Sequence, residues 1–379
     1  MTGPNVSWSR FWAVLIKEFI QMRRDRLTFG MMIGVPLLQL VLFGYAINTD
    51  PKQLPTALLV ADHSVFARSL VRALENSGYF EVVTRAESEA EAGELLLRGD
   101  VQFVVSIPEG FARDLLRGER PAVLVEADAT DPVATGNALA ALSTLTRTAL
   151  AHDLKGLLAS LTAPMPPFEL RVHRRYNPEG ATEYNIVPGL IGTILTMTMV
   201  MMTSIAVTRE RERGTMENLL SMPVRPLEVM LGKIVPFIVV GYIQVAVILL
   251  AGTALFGVPI LGSLWLLSIS LVLFIAANLA VGFTFSTLAQ NQLQAMQMTF
   301  FFFLPSLLLS GFLFPFRGMP DWAQALGSLF PLTHFLRIVR GILLKGSGWA
   351  EIAPELWPIA LFTLVAGIVA LHRYRDTLD

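Results

Sequence analysis

The sequence predicts an α-helical polytopic membrane protein: six transmembrane helices, an amphipathic N-terminal interfacial helix, and an extracytoplasmic α/β domain between spans 1 and 2. Three observations carry this. The 379 residues are 53% hydrophobic and 16% charged, where a soluble domain carries about 25% charge. Six apolar runs are long enough to cross about 30 Å of hydrocarbon. Residues 50–186 hold 13 basic and 19 acidic side chains against 16 and 11 in the remainder, so a stretch charged like a soluble domain interrupts a membrane-like chain.

Composition also excludes functions. A formal net charge of −1 leaves no basic footprint for nucleic acid. The absence of cysteine removes disulfides, thiolate metal sites and thiol catalysis. Five histidines without an H-x-x-x-H pair give no zinc-peptidase signature, and the spans offer no acid–base constellation for an intramembrane enzyme.

In chain order, Trp8, Phe11, Trp12, Leu15, Ile16, Phe19 and Ile20 recur at three- and four-residue steps, opposite Lys17, Gln21 and Arg24. That pattern suits a helix lying in a membrane interface, within a segment 1–28. The first span, 29–48, starts too late and lacks the small-residue site of a cleaved signal peptide; Pro36 kinks it. The segment 49–185 alternates strand and helix signals. Strands are expected at Thr56–Ala61, Tyr79–Thr84, Val101–Ile107, Ala122–Glu126 and Glu169–Arg175. Helices are expected at Ser64–Asn76, Glu87–Arg98, Pro108–Arg117 and Asp131–Ala159. Asp128 and Asp131 flank a turn and a helix start, where capping is the ordinary role.

The remaining spans fall at Ile186–Val207, Leu231–Phe256, Leu264–Leu288, Met296–Phe314 and Trp357–Leu371, making 186–379 a domain of five spans. Short flanks rich in Lys and Arg mark the inside. Arg10 to Arg26, Arg209 to Lys233, and Arg373 with Arg375 place both termini in the cytoplasm and the large domain outside. The spans contain few ionisable residues, whereas ion-coupled carriers place them within the bilayer.

The inner loop, 208–231, is the most informative stretch: VTRERERGTMENLLSMPVRPLEVMLGK over Val207–Lys233. Alternating Arg and Glu suit one short helix, Gly214 interrupts it, Thr215 caps a second, and Pro223 and Pro226 end it. A solvated loop is the plain alternative. This segment resembles the cytoplasmic loop of the membrane subunit of type-2 (type V) ABC exporters. Further likeness lies in Ser310-Gly311-Phe312, Pro315, Met319-Pro320, Trp322, Pro331 and Arg340-Gly341, and in FGYAINTD before the large insertion. The insertion is similar to that of the bacterial drug-efflux branch.

The resemblance implies an inner-membrane permease subunit that exports a hydrophobic drug, a lipid or a similar substrate. It implies a separate ABC ATPase that binds ATP-Mg, a second permease copy or a related permease, surrounding lipids, and an optional periplasmic adaptor. This chain has no G-x-x-x-x-G-K-[ST], since Gly232-Lys233 is followed by Ile234, so no nucleotide or other cofactor is expected on it. Contact with the ATPase is expected of Glu210, Arg211, Glu212, Arg213, Gly214, Thr215, Met216, Glu217, Leu219 and Leu220. Thr196, Met197, Met201, Asn278, Gln297 and Phe301 are candidates for a substrate path, beside the commoner roles of helix packing and lipid contact. In an outer re-entrant segment, 315–345, Pro315, His334, Arg337 and Arg340 are candidates for a gate; an interfacial helix with snorkelling arginines fits equally. A membrane scaffold whose outer domain binds an adaptor or ligand without transport is the competing function.

Overall fold

The computed structural model describes residues 51–155, 165–212 and 226–376, apart from the side chains of 226–235, 371 and 374–376. The interfacial helix, the first span and the loop residues Arg213 to Leu220 lie outside the described residues.

The segment after residue 50 folds as an α/β unit. Strands β1 (Leu54–Val60), β2 (Phe80–Arg85), β3 (Phe103–Ile107), β4 (Ala122–Asp128) and β5 (Glu169–Arg175) form one sheet in the order β2-β1-β3-β4-β5. β1 pairs in parallel with β2 and β3, β3 pairs antiparallel with β4, and β4 pairs in parallel with β5. Helices α1 (Val65–Asn76), α2 (Glu89–Arg98), α3 (Phe111–Leu116) and α4 (Pro132–Thr148) connect them.

Local chemistry sets the helix starts. The Ser64 hydroxyl accepts the Ala67 amide at α1, and the Ser88 hydroxyl accepts the Glu91 amide at α2. Asp131 accepts the Val133 and Ala134 amides at α4, with Pro132 in the first turn, where its missing N–H costs nothing. Expected to reach residue 159, α4 instead ends at Thr148, and turns occupy 149–154. One face of the sheet packs Leu58, Phe103 and Val105 against Leu70, Leu74, Phe111 and Leu142. The other packs Ala57 and Val104 against Ala92 and Leu96 of α2.

The rest is helical. Helices α5 (Glu183–Glu212), α6 (Pro226–Phe256), α7 (Leu264–Leu288), α8 (Gln292–Leu309) and α11 (Trp349–Asp376) are long and apolar. Among the described residues these five can each cross a membrane by length and composition, α6 over Pro236–Phe256 and α11 over Trp349–Ala370. The span expected at Met296–Phe314 is shifted: Asn291 caps α8 by accepting the Gln294 amide, and the helix stops at Leu309. Likewise α11 starts at Trp349, well before the apolar run at Trp357, because Glu351 and Glu355 find partners in the fold.

Between α8 and α11 the chain forms a 3₁₀ turn (Phe316–Gly318), α9 (Asp321–Gly327), α10 (Pro331–Arg340) and one π turn (Gly341–Lys345). The last three make a pair bent by 84°, the form of a broken span or a re-entrant loop. α5 is central: its buried Ile191, Leu195 and Met199 share a core with Phe274 and Ile275 of α7, Phe335 and Leu336 of α10, and Ile359 of α11. The Phe274 and Phe335 rings stack at 4.0 Å.

Candidate functional site

The helices of the bundle alternate in direction, which defines two ends. α5, α7 and α11 start beside the α/β unit, and α6 and α8 return to it. The 257–263 turn and the bent segment close that end, and the Leu261 amide donates to the Leu343 carbonyl at 3.1 Å. The described end of α5 at Glu212 and the start of α8 at Gln292 mark the opposite end.

The bent segment and the α/β unit are locked together by cations. Lys345 Nζ lies 2.6 Å from Asp128 Oδ2, with both side chains nine-tenths buried. The same ammonium donates to the Leu96 carbonyl at 3.1 Å and sits over the Tyr176 ring at 5.1 Å. Arg317 donates to the Gly99 carbonyl at 3.3 Å. Leu96 and Gly99 mark the carboxyl end of α2, where unsatisfied carbonyls attract positive charge. Tyr176 holds its ring there from a left-handed backbone, φ +68°. Burial, reinforced by Asp128, pushes its phenol up to about 12.

Alongside this lock the bent segment builds a second network. Glu355 of α11 accepts from Arg337 at 3.1 Å and contacts the His334 Nδ1, while His334 Nε2 lies 2.9 Å from the Ser328 carbonyl. Arg337 also covers the Phe316 ring at 4.7 Å. Arg340 turns inward rather than snorkelling, and its Nη2 donates to the Gly311 carbonyl at 3.1 Å. The gate candidates Pro315, His334, Arg337 and Arg340 therefore gather at one place. Pro315, Arg337 and Arg340 line a cavity of about 300 Å³ between the bent segment and the α/β unit, as do Lys345, Asp128 and Asp131. Burial pushes the Asp131 carboxyl up, against the opposing pull of Arg340 and the two capping amides.

Sequence reasoning missed Glu355, Gln102 and Tyr176 and gave Lys345 no role beyond flank charge. Glu355 carried a signal, an acid just ahead of an apolar run, but its partners come from another helix. Nothing in the sequence pairs Lys345 with Asp128, 217 residues away.

The other candidates fall in different surroundings. Thr196 and Asn278 are buried and bond back to the carbonyls of Gly192 and Phe274 on their own helices. Met197 and Met201 are half-buried on α5. Gln297 has a buried Oε1 without a partner, and Phe301 is on the surface. At the far end, Glu210, Arg211 and Glu212 form the last turn of α5. Glu212 accepts the backbone amide of Gln292 at 2.8 Å and its side-chain amide at 2.5 Å, while Arg209 donates to the Gln292 Oε1 at 3.3 Å. The outgoing end of α5 is thus tied to the start of α8.

A family model described as an ABC-2 family transporter protein matches residues 26–372. The chain is similar to the probable multidrug ABC transporter permease YbhS of Escherichia coli, 29% identical over 352 residues that cover 92% of each chain. It is similar to the probable multidrug ABC transporter permease YbhR of the same species, 28% identical over 97% of this chain and 98% of that one. The inner membrane transport permease YhhJ of that species is 28% identical over 86% of each.

Proposed function

This chain belongs to the ABC-2 family of transporter proteins, a multi-pass membrane permease, and from that membership we propose how it couples ATP to export. A separate ATPase subunit binds and hydrolyses ATP, and its closure pushes the loop 208–231 on the cytoplasmic side. Glu210, Glu212 and Glu217 pair with basic groups of the ATPase; Met216, Leu219 and Leu220 pack into its groove. The push travels along α5 to the outer gate, built on Pro315, His334, Arg337 and Arg340. A hydrophobic, drug- or lipid-like substrate leaves through a dimer of permeases past the bent segment, with the α/β unit outside. The relatives described as multidrug permeases support that substrate class.

One observation carries this proposal: α5 is continuous from Glu183 to Glu212, about 45 Å at 1.5 Å per residue, and joins the loop end to the gate end. At the gate end it packs without slack. A Cβ built on Gly192 would stand 2.7 Å from the Leu332 side chain and 3.2 Å from that of Phe335, both on α10. A helix packed this closely moves its neighbour when it moves.

The test is reconstitution with the partner ATPase in vesicles loaded with a hydrophobic dye. ATP-dependent efflux is expected, with Glu217→Lys abolishing both efflux and stimulation of ATP hydrolysis at unchanged expression. A scaffold would move no dye, and unchanged coupling in the charge reversal would remove Glu217 from the contact.

A further inference from the structure

We propose that the cavity between the α/β unit and the bent segment is a binding site for a phosphate-class oxyanion, delivered either free or as the head of an amphiphile. Nothing in the export scheme requires such a site, and its occupancy needs no ATPase.

Three buried polar atoms without a hydrogen-bond partner belong to residues that line this cavity: Arg340 Nε, Ser347 Oγ and Gln102 Oε1. Buried polar atoms are nearly always satisfied, so three around a single space of about 300 Å³ call for a polar occupant. Two of the three lie on the bent segment's side, at Arg340 and Ser347. Gln102 lines the cavity from the α/β unit, just before β3, and its amide can turn to offer a donor.

Hydrogen-bond accounting narrows the occupant's chemistry. The lining carries as many carboxylates as cations, and most of them have a direct partner, Arg98 with Glu94 among them. Lys345 pairs with Asp128, and Arg337 with Glu355. Asp131 caps α4, and Glu351 accepts the Gly348 amide. Asp100 is exposed and acts on Arg317 through space. Among the described residues Arg317 and Arg340 each donate to a backbone carbonyl and form no direct ion pair; Asp131 and Asp128 act on Arg340, and Glu355 also on Arg317, through space. Two guanidiniums with no carboxylate in direct contact, beside an unpartnered hydroxyl, form a recognition set for phosphate oxygens, which arginine binds in bidentate fashion. Location agrees. Trp265, Trp322 and Trp349 are exposed at this end of the bundle, and such tryptophans mark the headgroup level of a bilayer.

The test uses the full chain purified in an uncharged detergent. Its unfolding midpoint is followed while sodium phosphate replaces sodium chloride at fixed ionic strength. In a second arm, short-chain phosphatidic acid replaces the matching diacylglycerol. A saturable rise in both arms assigns the oxyanion itself; a rise with the lipid alone assigns an amphiphile's head. Either rise must weaken in Arg340→Gln by about tenfold or more in apparent affinity, the effect of losing a charged hydrogen bond. If that variant does not fold, Ser347→Ala and Gln102→Ala, approaching from opposite walls, must both weaken it. No saturable rise in either arm overturns the proposal and leaves ordered water as the occupant. So does an equal rise in the folded variants.

Discussion

At the scale of single residues, Lys345 and Asp128 illustrate how a buried ion pair behaves. Each is nine-tenths buried, so removing one partner strands the other in a low-dielectric site. Lys345→Met is expected to destabilise the protein by about 3–5 kcal/mol. Adding Asp128→Asn should recover most of that loss, because no uncompensated charge then remains. Thermal unfolding of the two single variants and the double variant measures the coupling. Asp62 supplies a pH dependence. Its Oδ1 accepts the Ser64 amide at 2.7 Å and its Oδ2 accepts the Ala112 amide at 2.8 Å. Burial pushes the carboxyl up, but these bonds together outweigh it and hold it below 3.8. The carboxylate therefore contributes stability above that value, and the contribution is lost as pH falls through the lower folded value. Amide protection factors in α3, corrected for intrinsic exchange, should fall below about pH 4 in the wild type, and be lower and nearly pH-independent in Asp62→Leu. Asp131's capping role was legible in sequence, since an Asp followed by Pro opens a helix. The partner of Asp128 was not, because ion pairing across 217 residues leaves no local pattern.

At the scale of elements, helix contacts depend on where side chains are missing. A Cβ on Gly282 of α7 would meet the Thr203 Cβ at 2.7 Å and the Val200 carbonyl at 2.9 Å on α5. Backbone cannot yield there, so Gly282→Val should cost about 1–3 kcal/mol or more and lower the yield of folded protein. Gly367 on α11 has open space around it; Gly367→Ala should be neutral or stabilise by up to about 1 kcal/mol. Melting temperatures of the pair separate close packing from helix propensity. Element types read well from sequence where a period ran uninterrupted: Leu264–Leu288 is a helix over those same residues. Boundaries read poorly where polar residues were satisfied by partners elsewhere. α8 begins among glutamines because Asn291 caps it and Gln294 accepts the Gln290 amide. α11 takes in two glutamates because His334, Arg337 and a backbone amide engage them.

At the scale of the whole molecule, the bent segment is held between α5 on one side and the α/β unit on the other. If the α/β unit moves with the gate during export, tethering it should stop transport without stopping ATP hydrolysis. The chain has no native cysteine, so Asp100→Cys with Arg317→Cys, both exposed on the facing elements, can be joined by a flexible bis-maleimide. Efflux is expected to fall at least about tenfold while ATPase activity persists, measured in the same vesicles before and after cross-linking. Were efflux unaffected, the α/β unit would be a passive cover. The net charge of −1 shows the same division of labour, since −6 lies on residues 50–186 and +5 on the rest. Sequence by itself determined the class of this protein: apolar runs of membrane-spanning length, an α/β stretch with a soluble composition, and an inner loop that resembles type-2 ABC exporters. Those properties are local, because hydrophobic length, alternation and capping are written in neighbouring residues. Only the tertiary structure decided that Pro315, His334, Arg337 and Arg340 share one place, that Lys345 and Arg317 grip the end of α2, and that a polar cavity lies between. These depend on which distant charges meet away from water, and burial is set by the packed whole rather than by any segment of the chain.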